Sequence, residues 1–121
     1  MGTHAGYFIK TEEGEPYITL YQHFDGYDWK LSLGSALAKA MSRISMTDIS
    51  YATRIIISQL IGDTWDSELG FGLYLDGAKP NLSDYEYSCV IDLVNMQVLD
   101  FREDTWYPLD TFIQLYNPVT V

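Results

Sequence analysis

SLGSALAKAMSRISMTDISYATRIIISQLIG, residues 32–62, decides the fold, because it repeats its apolar residues at helical spacing while the chain on either side alternates with period two. In its first half Leu33, Ala36, Leu37, Ala40, Met41 and Ile44 form one apolar stripe of an amphipathic helix. Ser32 can cap the start. Lys39 and Arg43 lie on the polar side, and Arg43 in the last turn suits the negative end of the helix dipole. In the second half Thr47 or Asp48 can cap a further helix, with Ile49, Ala52, Ile56 and Leu60 facing inward. Ile55, Ile57 and Ile61 widen that stripe, so this helix is expected to be the more buried, and Gly62 is a natural stop.

Upstream, GYFIKTEEGEPYITLYQHF (6–24) reads as two strands joined by a polar turn over Glu12–Pro16. In the second strand Ile18, Leu20, Gln22 and Phe24 share the face that meets the core, while Tyr17, Thr19, Tyr21 and His23 share the other. Downstream, FGLYLD, DYEYSCVIDL and QVLDF read as three more strands, with a tight turn near Asn95. In the longest of them Tyr85, Tyr87, Cys89 and Ile91 are expected on one side, with Glu86, Ser88 and Asp92 on the other. PLDTFIQLY suits a short last helix, with Pro108 in its first turn and Asp110 at the positive dipole end. The expected fold class is α+β, with an antiparallel sheet of about five strands, two helices packed on one face and the order ββααβββ before the short helix. Residues 1–121 make a single domain.

The net charge of −10 argues against direct nucleic-acid binding and against an acidic membrane surface, since both need Lys and Arg. The charge is uneven. Residues 29–57 hold Lys30, Lys39, Arg43 and Arg54 against Asp48 alone, whereas beyond residue 57 only Lys79 and Arg102 oppose a large excess of acids. No apolar run approaches a membrane span, and MGTHAGYFIK lacks a signal-peptide core. With Cys89 as the lone cysteine, the expectation is a cytoplasmic protein without disulfides.

Chemistry-bearing patterns are sparse. His4, His23, Cys89 and scattered acids give no paired metal-ligand spacing, and no phosphate-cradling glycine loop is present, so neither a metal nor a cofactor is expected. Cys89 reads as a small inert core residue. No base and nucleophile can be assembled, which leans against an enzyme. The densest stretch is YQHFDGYDW, residues 21–29. His23 and Asp25 fall on one face if the strand persists, and Tyr21, Tyr27 and Trp29 can stack a base or a partner's side chain. Asp25-Gly26 is equally a turn signal. Arg43, Arg54 and Arg102 are forks for phosphate or carboxylate, with surface ion pairs as their plainer use. The candidate binding residues are therefore Tyr21, His23, Asp25, Tyr27, Arg43 and Arg54.

MGTHAGYFI, then LYQHFDGY, then Leu33-Gly34 together resemble a family of small, uncharacterised phage and prophage proteins. Their pattern is a Met-Ser/Gly-Thr-Arg start, a Tyr-x-His-Trp-Asp-Gly-Tyr-Pro motif and a Leu-Gly opening of a helix. Gly2, Thr3, Tyr21, His23, Asp25, Gly26, Tyr27, Leu33 and Gly34 match, while His4 stands for Arg, Phe24 for Trp and Asp28 for Pro. The likeness covers roughly the first third of the chain. It implies a phage accessory protein acting against host defences, or a motif that simply builds the hairpin-to-helix junction.

Two functions follow as expectations. The first is a non-enzymatic inhibitor whose acidic, aromatic surface docks on a basic host protein, including by nucleic-acid mimicry. The second is a sponge for a nucleotide-like small molecule, using Tyr21, His23, Asp25 and Tyr27 with Arg43 or Arg54 on the phosphate. The aromatic excess also permits homo-oligomers.

Overall fold

The computed structural model describes residues 3–117. Strands β1 (Ala5–Lys10) and β2 (Ile18–Gln22) are followed by helices α1 (Trp29–Ser45) and α2 (Ile49–Ile61). Then come β3 (Phe71–Leu75), β4 (Tyr87–Asp92), β5 (Gln97–Asp100), β6 (Thr105–Pro108) and helix α3 (Leu109–Tyr116). The architecture is α+β, but the sheet has six strands in the order β3-β2-β1-β4-β5-β6. It is not wholly antiparallel, because β1 and β4 pair parallel at its centre. The two halves meet there: β2 and β3 extend one side of β1, and β4 begins afresh on the other. The sixth strand escapes sequence reading because it is four residues long and ends in Pro108.

All three helices cover one face. Tyr7, Ile9, Leu20, Cys89, Ile91 and Val98 from the sheet pack against Leu33, Leu37, Ile44, Ile56 and Phe112 from the helices. Burial of these side chains supplies the main drive to fold. β1 is buried on both faces, since Phe8 points the opposite way into a smaller cluster with Val90 and Leu99. Tyr17, Leu82 and Tyr85 close over that cluster.

Local rules account for the helix ends. α1 starts at Trp29, three residues before Ser32, because Trp29 is itself core and stacks 6.0 Å from Phe112. Asp48 stands at the cap position of α2 but its carboxylate turns to Arg43 instead of capping the helix, and Gly62 ends α2 with φ 64°. A Cβ on Gly34 would lie 2.9 Å from Tyr116, so this glycine lets α3 rest directly on α1.

Tyr85 departs from expectation. The chain bends at residues 85–86 and β4 starts only at Tyr87, so Tyr85 lies with Phe8 on the helix-free face. The β4–β5 turn is held by Asp92, whose Oδ1 accepts the backbone N–H groups of Val94 (3.0 Å) and Asn95 (2.9 Å). Among the described residues no helix is long and apolar enough to cross a membrane.

Candidate functional site

YQHFDGYDW changes geometry partway. β2 ends at Gln22, Asp25 takes the left-handed conformation (φ 60°), and Gly26–Asp28 form a 3-10 turn leading into α1. The extended backbone that would align His23 with Asp25 therefore does not persist. Gly26 donates its N–H to the Thr3 carbonyl at 3.0 Å, and a Cβ there would meet the backbone of Thr3, His4 and Ala5 at 2.9 Å. The Asp-Gly pair thus seats the turn against the N-terminal segment. The N-terminal segment and the YQHFDGY stretch touch at this point, and Gly2 lies outside the described residues.

An aromatic cluster grows from this junction. The imidazoles of His4 and His23 stack with centroids 4.8 Å apart, and the Tyr21 hydroxyl lies 2.7 Å from His23 Nδ1. Tyr21 also packs 5.3 Å from Tyr85, whose hydroxyl bonds to that of Tyr74. Burial, and then the bond to Tyr74, push the Tyr85 phenol well above its ordinary pKa. Beside the cluster a cleft of about 260 Å³ is lined by Tyr21, His23, Glu68 and residues 69–72.

A second, polar cavity of about 310 Å³ opens at the start of α1 between Tyr27, Lys30, Tyr87, Asp100 and Arg102. Lys30 Nζ stands 3.0 Å from Asp100 Oδ2, with side-chain exposures of 31% and 2%. That oxygen makes no well-directed hydrogen bond, so the contact is chiefly ionic. Burial works against the charged form of Lys30, but Asp100 outweighs it and raises the Lys30 pKa. The Arg102 guanidinium lies over the Tyr87 ring at 4.8 Å.

The six candidate residues do not form one site. Tyr21 and His23 meet in the aromatic cluster, Asp25 shapes the turn and Tyr27 lines the polar cavity. Arg43 is held by Asp48 at 3.4 Å and covers Tyr51 at the far end of α1, about 24 Å along the helix from Tyr27. Arg54 borders a separate apolar groove of about 600 Å³ between α2 and the β2–β3 edge, with Ile18, Ile49, Ile57 and Leu73.

Sequence reading missed Lys30, Asp100 and His4. One signal for Asp100 was present: it follows core-facing Val98 by two positions on β5, which aims a carboxylate inward. The Cys89 thiol is fully buried, and burial pushes it well above its ordinary pKa. Among the described residues no three His, Cys, Asp or Glu side chains converge as a metal site. No protein-family model matches the chain, and neither curated proteins nor solved structures give a significant match.

Proposed function

We propose that the protein is a non-enzymatic binding protein that docks its acidic, aromatic surface on a basic partner. The carrying observation is the pairing of exposed rings with acids. Trp65, 76% exposed, stands between Asp63 and Asp66, with Glu68 close by; Tyr27 stands between Asp25 and Asp28; Trp106 follows Asp104. Meanwhile Lys10, Lys30, Arg43 and Arg102 are engaged by acids of the same chain, and among the described residues most carboxylates have no cation beside them. Rings give an interface its anchors, and a single-signed field speeds encounter with a partner of opposite sign. The likeness of the N-terminal third to phage proteins favours a host defence protein as that partner, with nucleic-acid mimicry as the mode.

A second reading rests on the polar cavity. Its volume is at the lower limit of small-molecule sites, roughly 300–1,000 Å³. Lys30 and Arg102, rather than Arg43 or Arg54, are the cations beside Tyr27, with Asp100 and Glu103 in the same lining. A nucleotide-like or other small anionic molecule would therefore draw chiefly on Arg102, whose contact with Glu86 is long at 3.8 Å and exposed. Native mass spectrometry of protein purified from cells separates the two readings. A bare 13.8 kDa chain, or a simple multiple of it, supports the protein-docking reading. An adduct lost on denaturation, and lost in Arg102→Ala, supports the small-molecule reading instead.

A further inference from the structure

We infer that the edge of β3, which pairs with no further strand among the described residues, is a self-pairing surface, and that the chain forms a two-fold dimer through an antiparallel β3–β3 junction centred on Leu73. The backbone register defines the edge. His23 N–H bonds to the Gly70 carbonyl (2.8 Å) and Asp76 N–H to the Tyr17 carbonyl (2.7 Å), with Leu20 opposite Leu73. In an antiparallel ladder the hydrogen-bonding residues alternate. Gly70, Gly72, Tyr74 and Asp76 therefore address β2, while Phe71, Leu73 and Leu75 turn their N–H and C=O groups outward. Unpaired edge groups of this kind are a template for another strand.

The two edges of the sheet are treated differently. On β6 the Leu109 N–H bonds to the Met96 carbonyl and Tyr107 lies opposite Val98, so Trp106 and Pro108 face outward. Pro108 has no N–H to give, which blunts that edge. β3 has no such device. Residues 69–75 contain neither proline nor charge, although the chain carries −10. Leu69, Leu73 and Leu75 are 80%, 58% and 71% exposed.

A second copy is the occupant that this pattern fits. Centring the pair on Leu73 sets Phe71 of each copy opposite Leu75 of the other, on the helix-covered face. The three outward-facing residues then satisfy one another's backbone groups, and the leucines join in an apolar strip. Asp66 and Glu68 precede β3 and Lys79 follows it, so an antiparallel pair brings the lysine of each copy to the end where the other's acids lie. No charge falls within residues 69–75, so no like charges face each other along the paired strands.

The test combines mass and cross-linking. Sedimentation of the full chain from micromolar to near-millimolar concentration should show a dimer of the 13.8 kDa chain. Leu73→Lys sets two ammonium groups opposite each other and should return it to monomer with an unchanged circular dichroism spectrum. Under mild oxidation Leu73→Cys should cross-link to itself, since a hydrogen-bonded pair sets the Cα atoms about 5.5 Å apart, within disulfide reach. Leu75→Cys should not, because its two copies would lie about 13 Å apart along the strands. A chain that stays monomeric throughout overturns the inference, as does a dimer indifferent to Leu73→Lys. Cross-linking through Leu75→Cys but not Leu73→Cys also overturns it. If Leu73→Lys fails to fold, the two cysteine variants decide alone.

Discussion

The His4 and His23 rings stack 4.8 Å apart, tying the lead-in to the central strand to the end of β2. His4 also meets Tyr21 edge-on at 5.6 Å, and the Gly26 N–H reaches back to Thr3. The residues that make YQHFDGYDW conspicuous thereby fasten the N-terminal segment to the start of α1.

Gly26→Ala tests that junction. The added Cβ meets backbone at 2.9 Å, which no rotamer change can relieve. The cost expected from such overpacking is about 1–3 kcal/mol. Urea denaturation gives the loss, and hydrogen exchange should show it concentrated in residues 3–8 and around the turn.

Lys30→Ala leaves the Asp100 carboxylate buried without its cation. Breaking a fully buried pair costs ~3–5 kcal/mol, and the 31% exposure of Lys30 brings the expected loss below that range. The sign with pH is fixed. Because the Lys30 pKa is raised in the folded state, its contribution is fully present below the unfolded lysine value of roughly 10.4. It is lost as pH rises through the folded value. The stability gap between wild type and variant should therefore close only in strong alkali, as followed by denaturation at a series of pH values.

Asp92→Asn tests the β4–β5 turn at the other end of the scale. Burial alone would raise the Asp92 pKa, but hydrogen bonds from Asn95 and Gln97, with Lys10 nearby, lower it. Its contribution is present above the unfolded aspartate value of roughly 3.9 and fades as pH falls through the folded one. At neutral pH the variant should be about 1–2 kcal/mol less stable, since an amide must turn a donor toward the Asn95 and Gln97 side chains. Once the pH has fallen below the folded value the difference should vanish.

Thr19→Val should stabilise the fold. The Thr19 hydroxyl is buried on the helix-free face without a hydrogen-bond partner. Replacing it with a methyl group removes a desolvation cost of about 1 kcal/mol or more while keeping a β-branched residue in the strand. Thermal and urea midpoints should both rise.

Much of the fold was legible where neighbours in sequence decide it. The 3.6-residue stripes of α1 and α2, the alternation of β2 as far as Gln22 and the Asp-Gly turn each carry a local signal, although Phe24 leaves the core face once β2 ends and α1, not α2, is the more buried helix. The parallel β1–β4 pairing does not, because no local turn specifies which strand lies beside Ala5–Lys10; the near-continuous apolar run of β1 was its only trace. Tyr85 changed faces through a bend one residue before β4, which strict alternation cannot foresee. The site behaved likewise. Tyr21 and His23 were legible because they are two apart across the end of β2, whereas Lys30 and Asp100 meet only through packing of α1 on β5. Arg43 and Arg54 showed their charge in the sequence but not their distance from Tyr27.

The central claim is that an acidic, aromatic surface binds a basic partner, and one capture experiment tests it most directly. The immobilised protein is exposed to bacterial lysate and eluted in steps of increasing salt, with Trp65→Ala in parallel. Proteins with basic, nucleic-acid-binding surfaces should be retained, leave as salt rises, be displaced by duplex DNA and be held more weakly by the variant. Retention that ignores salt and DNA, or an empty eluate at low salt, would contradict it.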